Sequence, residues 1–277
     1  MASYIDKLDK NIFYTHAHFS ISNYFRFFIP DIFKNYKKVL YCDCDAIFLD
    51  DAAKLFDIDT ENFLFCAAKD IAFQRYIFTE NKYYHKYCYS ILKMHNPLNY
   101  INSGIMLMNV SELIKFDFFN KCINKLKEIK EPLCVDQCII NSLCEDRIKF
   151  LDLHWNAANQ MLLKDYNLRE ELPPDIFEQY SNAIKEPKYL HYTSDVKPWI
   201  NPEIPNAEIF WKYARKTPFY EEILFKNITY VKNNIVKIKY KNFFQRIFSI
   251  KNIKFNNSKK CKVLTILGIK IKITVFS

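Results

Sequence analysis

The chain has 277 residues, half of them apolar, a formal net charge of +9, and only two glycines, Gly104 and Gly268. Its length and apolar content suffice for one large domain or two small ones. Two widely separated glycines exclude a Walker loop, which needs two in one short loop, and a dinucleotide fingerprint, which needs three, so any phosphate must be held by a metal or by cationic side chains.

The nine cysteines are odd in number and scattered from Cys42 to Cys261, with no signal-peptide pattern before them. They read as reduced thiols in a cytoplasmic compartment. Cys134, Cys138 and Cys144 lack a paired CxxC knuckle and read as small hydrophobes rather than zinc ligands. From Val231 to Ser277 there are twelve Lys/Arg and no Asp or Glu, so the preceding 230 residues carry a net −3. No uninterrupted apolar run approaches the roughly 20 residues needed to cross a bilayer.

In chain order, residues 1–18 are mixed and contain His16 and His18, which would bind metal only where a third ligand converges. From Phe19 to Phe33, Ile21, Tyr24, Phe25, Phe28 and Ile29 recur at helical spacing, with Ser20 or Ser22 as a cap. Arg26 inside this stretch is either a helix-surface charge or an anion-binding guanidinium. Next comes KKVLYCDCDAIFLDD, residues 37–51. As a strand, it puts Asp43 and Asp45 on one face and Cys42 and Cys44 on the other. Two carboxylates so close raise each other's cost of ionisation unless a cation sits between them. The stretch therefore reads as a divalent-metal site at the end of a buried strand, against the alternative of a strand edge running into an acidic turn.

Residues 62–70 form a second apolar run ending in Lys69 and Asp70, and Phe73 to Lys93 is aromatic and helical or irregular. YINSGIMLMNV, residues 100–110, is a strand with Gly104 beside Asn102 and Ser103 at its entrance, a place where no side chain fits and a ligand or another backbone can approach. Ser111 reads as the cap of a helix reaching about Ile129, with Leu113, Ile114, Phe118, Ile123 and Leu126 inward. Asp136 opens or lies just within a helix through Leu143. Residues 148–152 are a strand, followed by His154-Trp155-Asn156; LPPDIFEQY reads as an insertion; His191 ends a short apolar strand ahead of Lys197-Pro198-Trp199. A lone histidine is more often a satisfied core group than a ligand, but a carboxylate pair needs further ligands. From Ala207 the chain is helical again. This alternation predicts an α/β domain with a mostly parallel sheet, whose ligands sit at the carboxyl ends of strands.

Taken together and in this order, the segments HFSISNYFR, YCDCD, INSGIMLMN, VDQ and HYTSDVKPW resemble glycosyltransferase family 8, over roughly residues 10–215. The resemblance implies a GT-A type, Rossmann-like nucleotide-diphospho-sugar transferase fold. It implies Asp43, Asp45 and His191 as ligands of Mn²⁺, with Mg²⁺ as a substitute. It further implies His18, Arg26, Asp70, Asn102, Ser103, Gly104, Ser194 and Lys197 around the donor, and Asp136 and Gln137 near the anomeric carbon. Ser194 stands where many members have glycine. The implied reaction is retaining transfer of a hexose from a UDP-sugar to a lipopolysaccharide, lipooligosaccharide or other glycan acceptor. Retention requires a nucleophile beneath the anomeric carbon or front-face attack guided by the leaving group; Gln137 is a poor nucleophile and Asp136 a better one, and both routes stay open.

Family members normally carry about two further strand–helix units of roughly 30 residues before the HFS segment. The sequence predicts an N-terminally truncated domain, 1–234, with weakened donor binding, and a basic extension, 235–277. In that extension FFQRIFSIKNIKF and KVLTILGIKIKI alternate apolar and cationic residues, the latter resembling a β-hairpin that ends many lipopolysaccharide transferases. Contact with an anionic membrane surface, at about 1 kcal/mol per basic residue, is weighed against a solvated lysine-rich face. No recognised module accompanies the charge, so nucleic acid is not an expected partner. The expected location is the cytoplasm, at the inner face of the plasma membrane. Two rivals are a catalytically impaired remnant that binds partners or membrane, and a haloacid dehalogenase-type phosphotransferase. The latter expects Thr or Val where Ile47 stands and leaves INSG, VDQ and KPW unexplained.

Overall fold

The computed structural model describes residues 12–17, 19–229, 248–255, 259–266 and 269–274. The chain divides into two compact units, Met1–Lys197 with Glu203–Ala207, and Pro198–Pro202 with Glu208–Ser277.

In the first unit, β1 (Lys38–Cys42), β3 (Phe65–Lys69), β4 (Ile101–Asn109) and β5 (Ile148–Phe150) form a sheet in the order β1-β4-β3-β5. A smaller sheet joins β2 (Ala46–Phe48), β7 (Tyr189–His191) and β6 (Ala157–Ala158) in the order β2-β7-β6. Side chains alternate along a strand, and here both faces are covered. Met106, Met108, Phe65 and Ala67 pack on one side with Tyr24, Phe27, Phe118, Leu126 and Ile139. Ile105, Leu107, Cys66 and Ala68 pack on the other with Trp155, Ile176, Tyr180 and Ala183. A strand buried on both faces reads as the near-continuous apolar run GIMLM, without a helical period.

The expected mostly parallel sheet needs correction. β4 runs antiparallel to both β1 and β3, and only β3 with β5 pairs in parallel in this sheet. An antiparallel return needs no crossover, so β4 can slot between β1 and β3 after the aromatic segment that links it to β3. The reversal matters for the site. It sets the beginning of β4 beside the carboxyl ends of its neighbours, with Ile101 opposite Lys69 and Ile105 opposite Cys42.

Three local expectations also change. Residues 21–28 are a 3-10 helix, followed by a short α-helix, Ile29–Ile32. Pro30 has no N–H for the Arg26 carbonyl, and the Ile29 N–H bonds it instead across three residues. The single helix from Ser111 to Ile129 is two helices, Val110–Lys115 and Phe118–Ile129, broken where Asp117 takes the left-handed conformation at φ 58°. Its cap is Asn109, whose Oδ1 accepts from the Glu112 N–H at 3.3 Å and from the Ser111 hydroxyl at 2.9 Å. Ile114, expected inside, is 44 % exposed. LPPDIFEQY is no insertion: the helix Pro174–Lys185 drives Ile176, Tyr180 and Ala183 into the second core, with a proline at its first position where no N–H is missed.

The second unit contains helical residues 220–229 and an antiparallel meander of β8 (Phe248–Phe255), β9 (Lys259–Ile266) and β10 (Ile269–Thr274). β9 and β10 pair antiparallel, with Ile266 opposite Ile269, and β8 pairs antiparallel with β9 as a third strand. Among the described residues no helix is long and apolar enough to cross a membrane.

Asn109 also donates from Nδ2 to the Thr60 carbonyl at 2.9 Å, in a buried position. Asn109→Ala should therefore lower the unfolding free energy by about 2 kcal/mol in urea denaturation. Ser111→Ala should change it by less than about 0.5 kcal/mol. The opposite ranking would return the cap to Ser111.

Candidate active site

β1 ends at Cys42, the chain bends through Asp43–Asp45, and β2 begins at Ala46. The aspartates thus sit in a loop at the strand's carboxyl end, and strand alternation does not explain how they converge. The loop backbone is pinned from two sides. The Asp43 N–H donates to the Gly104 carbonyl at 2.8 Å, and the Tyr192 N–H to the Asp45 carbonyl at 2.9 Å. The Tyr189 hydroxyl reaches the Asp43 and Gly104 carbonyls at 3.1 and 3.2 Å. Pairing of β2 with β7 puts Ala46 opposite His191. As a result His191 Nε2 lies 3.2 Å from Asp45 Oδ1 and 3.8 Å from Asp43 Oδ2. One ligand atom from each of the three residues falls within 4.8 Å of the others.

Gly104 is what admits the histidine. It lies inside β4 rather than at its entrance, and a Cβ there would stand 2.1 Å from His191 Cε1 and 2.8 Å from Nδ1. The group that approaches this glycine is an imidazole of the same chain.

Two cations border the carboxylates. Lys197 Nζ bonds Asp45 Oδ2 and also donates to the Tyr192 carbonyl at 2.6 Å. Burial opposes ionisation of Asp45, but the hydrogen bonds and charges of His191 and Lys197 outweigh it and hold this carboxyl well below the usual range. Arg26 is not the helix-surface charge that the sequence allowed: it is only 2 % exposed, and the anions it binds are carboxylates of the protein. Its Nε lies 3.0 Å from Asp136 Oδ2, one terminal nitrogen 3.2 Å from Asp43 Oδ1, and the other donates to the Ser103 carbonyl at 2.6 Å. Its guanidinium also stacks 4.2 Å from the Tyr41 ring centroid, and the Tyr41 hydroxyl donates to Asp43 Oδ1 at 2.6 Å.

The remaining residues form a connected polar wall. Asp70 caps the helix Ile71–Phe78 through Oδ1, which accepts from the Phe73 N–H at 3.0 Å. Its Oδ2 accepts from Asn102 Nδ2 at 3.0 Å and Gln137 Nε2 at 3.1 Å. Gln137 Oε1 accepts from the Ser103 N–H at 2.9 Å. Asp136 and Gln137 lie in the first turn of the helix Val135–Cys144, where the macrodipole favours a carboxylate. Val135 opens that turn at φ 35°, a conformation costing a β-branched residue roughly 1–3 kcal/mol and typical of functional sites. Burial pushes the Asp136 carboxyl up to about 7, with Arg26 pulling it down and Asp43 adding to the rise. Ser194 adopts φ 82°, a region that favours glycine, and its Oγ accepts from the Val196 N–H at 3.2 Å.

The structure therefore gathers Asp43, Asp45 and His191, with Lys197 on Asp45. It links Arg26, Asp70, Asn102, Ser103, Asp136 and Gln137 by hydrogen bonds and ion pairs. His18 lies outside the described residues. One residue given no role from sequence also belongs here: Asn156 Oδ1 faces His191 Nδ1 at 2.9 Å, and its Nδ2 donates to Asn102 Oδ1 at 2.9 Å. Its only signal is a polar side chain a few residues after the strand 148–150. The donor set of two carboxylate oxygens and one imidazole nitrogen suits Mn²⁺ or Mg²⁺ and is poor in the thiolates that would select softer metals.

The raised Asp136 has a consequence for stability. The folded state holds this proton more tightly than the unfolded state does. Its contribution is therefore full below about pH 4 and is lost as the pH rises through about 7. In chelator, the unfolding free energy should fall across that window more steeply for the native protein than for Asp136→Asn, measured by urea denaturation at successive pH values. Parallel curves would contradict the burial effect.

The family model described as Glycosyl transferase family 8 matches residues 2–202. General stress protein A of Bacillus subtilis is 27 % identical over 223 residues, covering 76 % of this chain and 72 % of that protein. Lipopolysaccharide glucosyltransferase WaaO of Escherichia coli is 27 % identical over 211 residues, covering 73 % and 57 %. The apo structure of the bifunctional glycosyltransferase WbbM superposes with a TM-score of 0.69 at 28 % identity, over 78 % of this chain and 39 % of that one. The layered mixed sheet is thus the GT-A type fold that the sequence predicted. A match extending over most of the chain establishes its membership: this protein belongs to glycosyl transferase family 8.

Proposed function

We propose that the protein transfers a hexose from a UDP-sugar to a glycan acceptor of the lipopolysaccharide type, with retention of configuration and dependence on a divalent metal, Mn²⁺ or in substitution Mg²⁺. The observation that carries this reading is the convergence of Asp43, Asp45 and His191 ligand atoms within 4.8 Å, with Lys197 bonded to the same Asp45. Breaking a sugar–diphosphate bond builds negative charge on the leaving oxygens. The metal would neutralise that charge when held by these three residues. Lys197 supplies a second positive charge beside them, in the loop that Ser194 turns. Asp70, Asn102, Ser103 and Gln137 form the wall that holds the donor sugar. Arg26 acts on the donor through Asp43 and Asp136, which it holds apart and in place.

Asp136 is 1 % exposed, with one carboxylate oxygen already shared by Arg26 and Ser103, whereas Gln137 is 8 % exposed. This supports front-face attack over a covalent intermediate on Asp136. The acceptor hydroxyl oxygen bonds to the anomeric carbon as the carbon–oxygen bond to the diphosphate breaks. The electron pair leaves with the diphosphate, which takes the hydroxyl proton on the same face. For the basic extension, twelve Lys/Arg without one acid favour contact with an anionic leaflet, which brings the site to a glycolipid acceptor.

UDP release from UDP-galactose and UDP-glucose should require Mn²⁺ or Mg²⁺, and Asp45→Ala should lower it about 100-fold or more. Equal turnover in chelator would sink the metal-dependent reading. Full-length protein should co-sediment with phosphatidylserine vesicles in low salt, and a chain ending near Asn234 should not; equal sedimentation would remove the membrane role from the extension.

A further inference from the structure

A histidine can meet a metal only through the ring nitrogen that carries no proton, and the hydrogen bond at the other nitrogen decides which one that is. In this protein the decision can be traced through an unbroken chain of side chains to a backbone group. The Gly104 N–H, a donor that cannot reverse, bonds the side chain of Asn102 at 2.9 Å, so the atom there is the amide oxygen. Asn102 then turns its NH₂ to Asp70 Oδ2 at 3.0 Å, where a carboxylate requires a donor, so both ends agree on the orientation. Asn102 Oδ1 also receives a bond from Asn156 at 2.9 Å, which must come from Nδ2. That leaves Asn156 Oδ1, an acceptor only, facing His191 Nδ1 at 2.9 Å. His191 Nδ1 must therefore carry a proton, and Nε2, 3.2 Å from Asp45 Oδ1, is the nitrogen that exchanges its proton and its bond to that carboxylate for a cation.

We propose that Asn156, oriented by Asn102, is a positioning residue of the metal site: it locks His191 with its proton on Nδ1 and presents Nε2 to the ion. The proposal rests on the metal reading above and adds two things to it. The ring's orientation is fixed without any bound ion, because the Gly104 N–H and Asp70 set the polarity at the far end. The same relay ends at Asp70, which also holds Gln137, so the metal ligand and the donor-sugar wall share one hydrogen-bond network.

The test reads the ring itself. Protein with ¹⁵N-labelled histidine is observed by NMR, well above histidine's ordinary titration range, without metal and with diamagnetic Mg²⁺; His191→Gln assigns the signals. The native protein should show a proton on Nδ1 in both states. In Asn156→Ala the metal-free ring should move its proton to Nε2, where it can bond Asp45. Mn²⁺ affinity by calorimetry should fall 10- to 100-fold. Asn156→Asp loses the bond to Asn102 but keeps an acceptor for Nδ1–H, and should keep the proton on Nδ1. A native histidine protonated on Nε2 alone, or an Asn156→Ala variant unchanged in both measurements, would overturn the relay. Should the native protein bind neither Mn²⁺ nor Mg²⁺, the metal reading fails on its own, and the metal-free spectra still decide the relay.

Discussion

The structure is organised around the cost of holding several carboxylates in one small volume. Asp43 and Asp45 sit side by side, and Asp136 is joined to Asp43 through a single guanidinium. Each ionised group makes its neighbours harder to ionise, and burial makes all of them harder still. The chain answers with one fixed positive charge in the interior, Arg26, and with His191 and Lys197 on Asp45. A buried charge bonded on all sides is costly to disturb, because removing one partner leaves the others unpaired. The same arrangement leaves one gap in compensation, between Asp43 and His191, where a divalent ion fits the ligand types.

Two features of the backbone make that arrangement reachable. Reversal of β4 brings Asn102, Ser103 and Gly104 to the carboxyl ends of β1 and β3, where loops of an α/β sheet gather ligands. Gly104 then lets the imidazole of His191 lie against the strand without a clash. The sheet behind them is buried on both faces, so the loops that carry the chemistry are mounted on a close-packed support. Backbone conformations unusual for their residues, at Val135 and Ser194, fall at the site, where the surrounding packing and hydrogen bonds can hold them.

The sequence made the site more legible than the means by which it is held. Asp43, Asp45 and His191 were visible because ion-binding chemistry restricts residue type and each follows or ends an apolar run; Lys197, six residues past β7, came only from the family resemblance. Gly104 stood out because glycine is scarce, but that the His191 imidazole lies against it could not be read from its surroundings in the sequence. Arg26 could not be read: a guanidinium within an apolar stretch looks the same whether it faces water or two carboxylates that follow far along the chain. Asn156 was equally silent, since an amide after a strand acquires meaning only when folding puts His191 beside it. The direction of β4 was hidden for a related reason. A fully buried strand has the same apolar pattern read either way, and only tertiary pairing chooses. At Asn109 and Ser111 two residues with capping chemistry stood close together, and the extra bond from Asn109 to the Thr60 carbonyl lies beyond any local pattern.

The central claim is that Asp43, Asp45 and His191 form one cation site with His191 Nε2 as its nitrogen ligand. Crystals grown in Mn²⁺ test it most directly, through the anomalous scattering of manganese. The account predicts one strong peak within coordination distance of a carboxylate oxygen from Asp43, a carboxylate oxygen from Asp45, and His191 Nε2, with Nδ1 still bonded to Asn156. A peak elsewhere in the molecule, no peak at saturating Mn²⁺, or a ring turned so that Nδ1 meets the metal would contradict it.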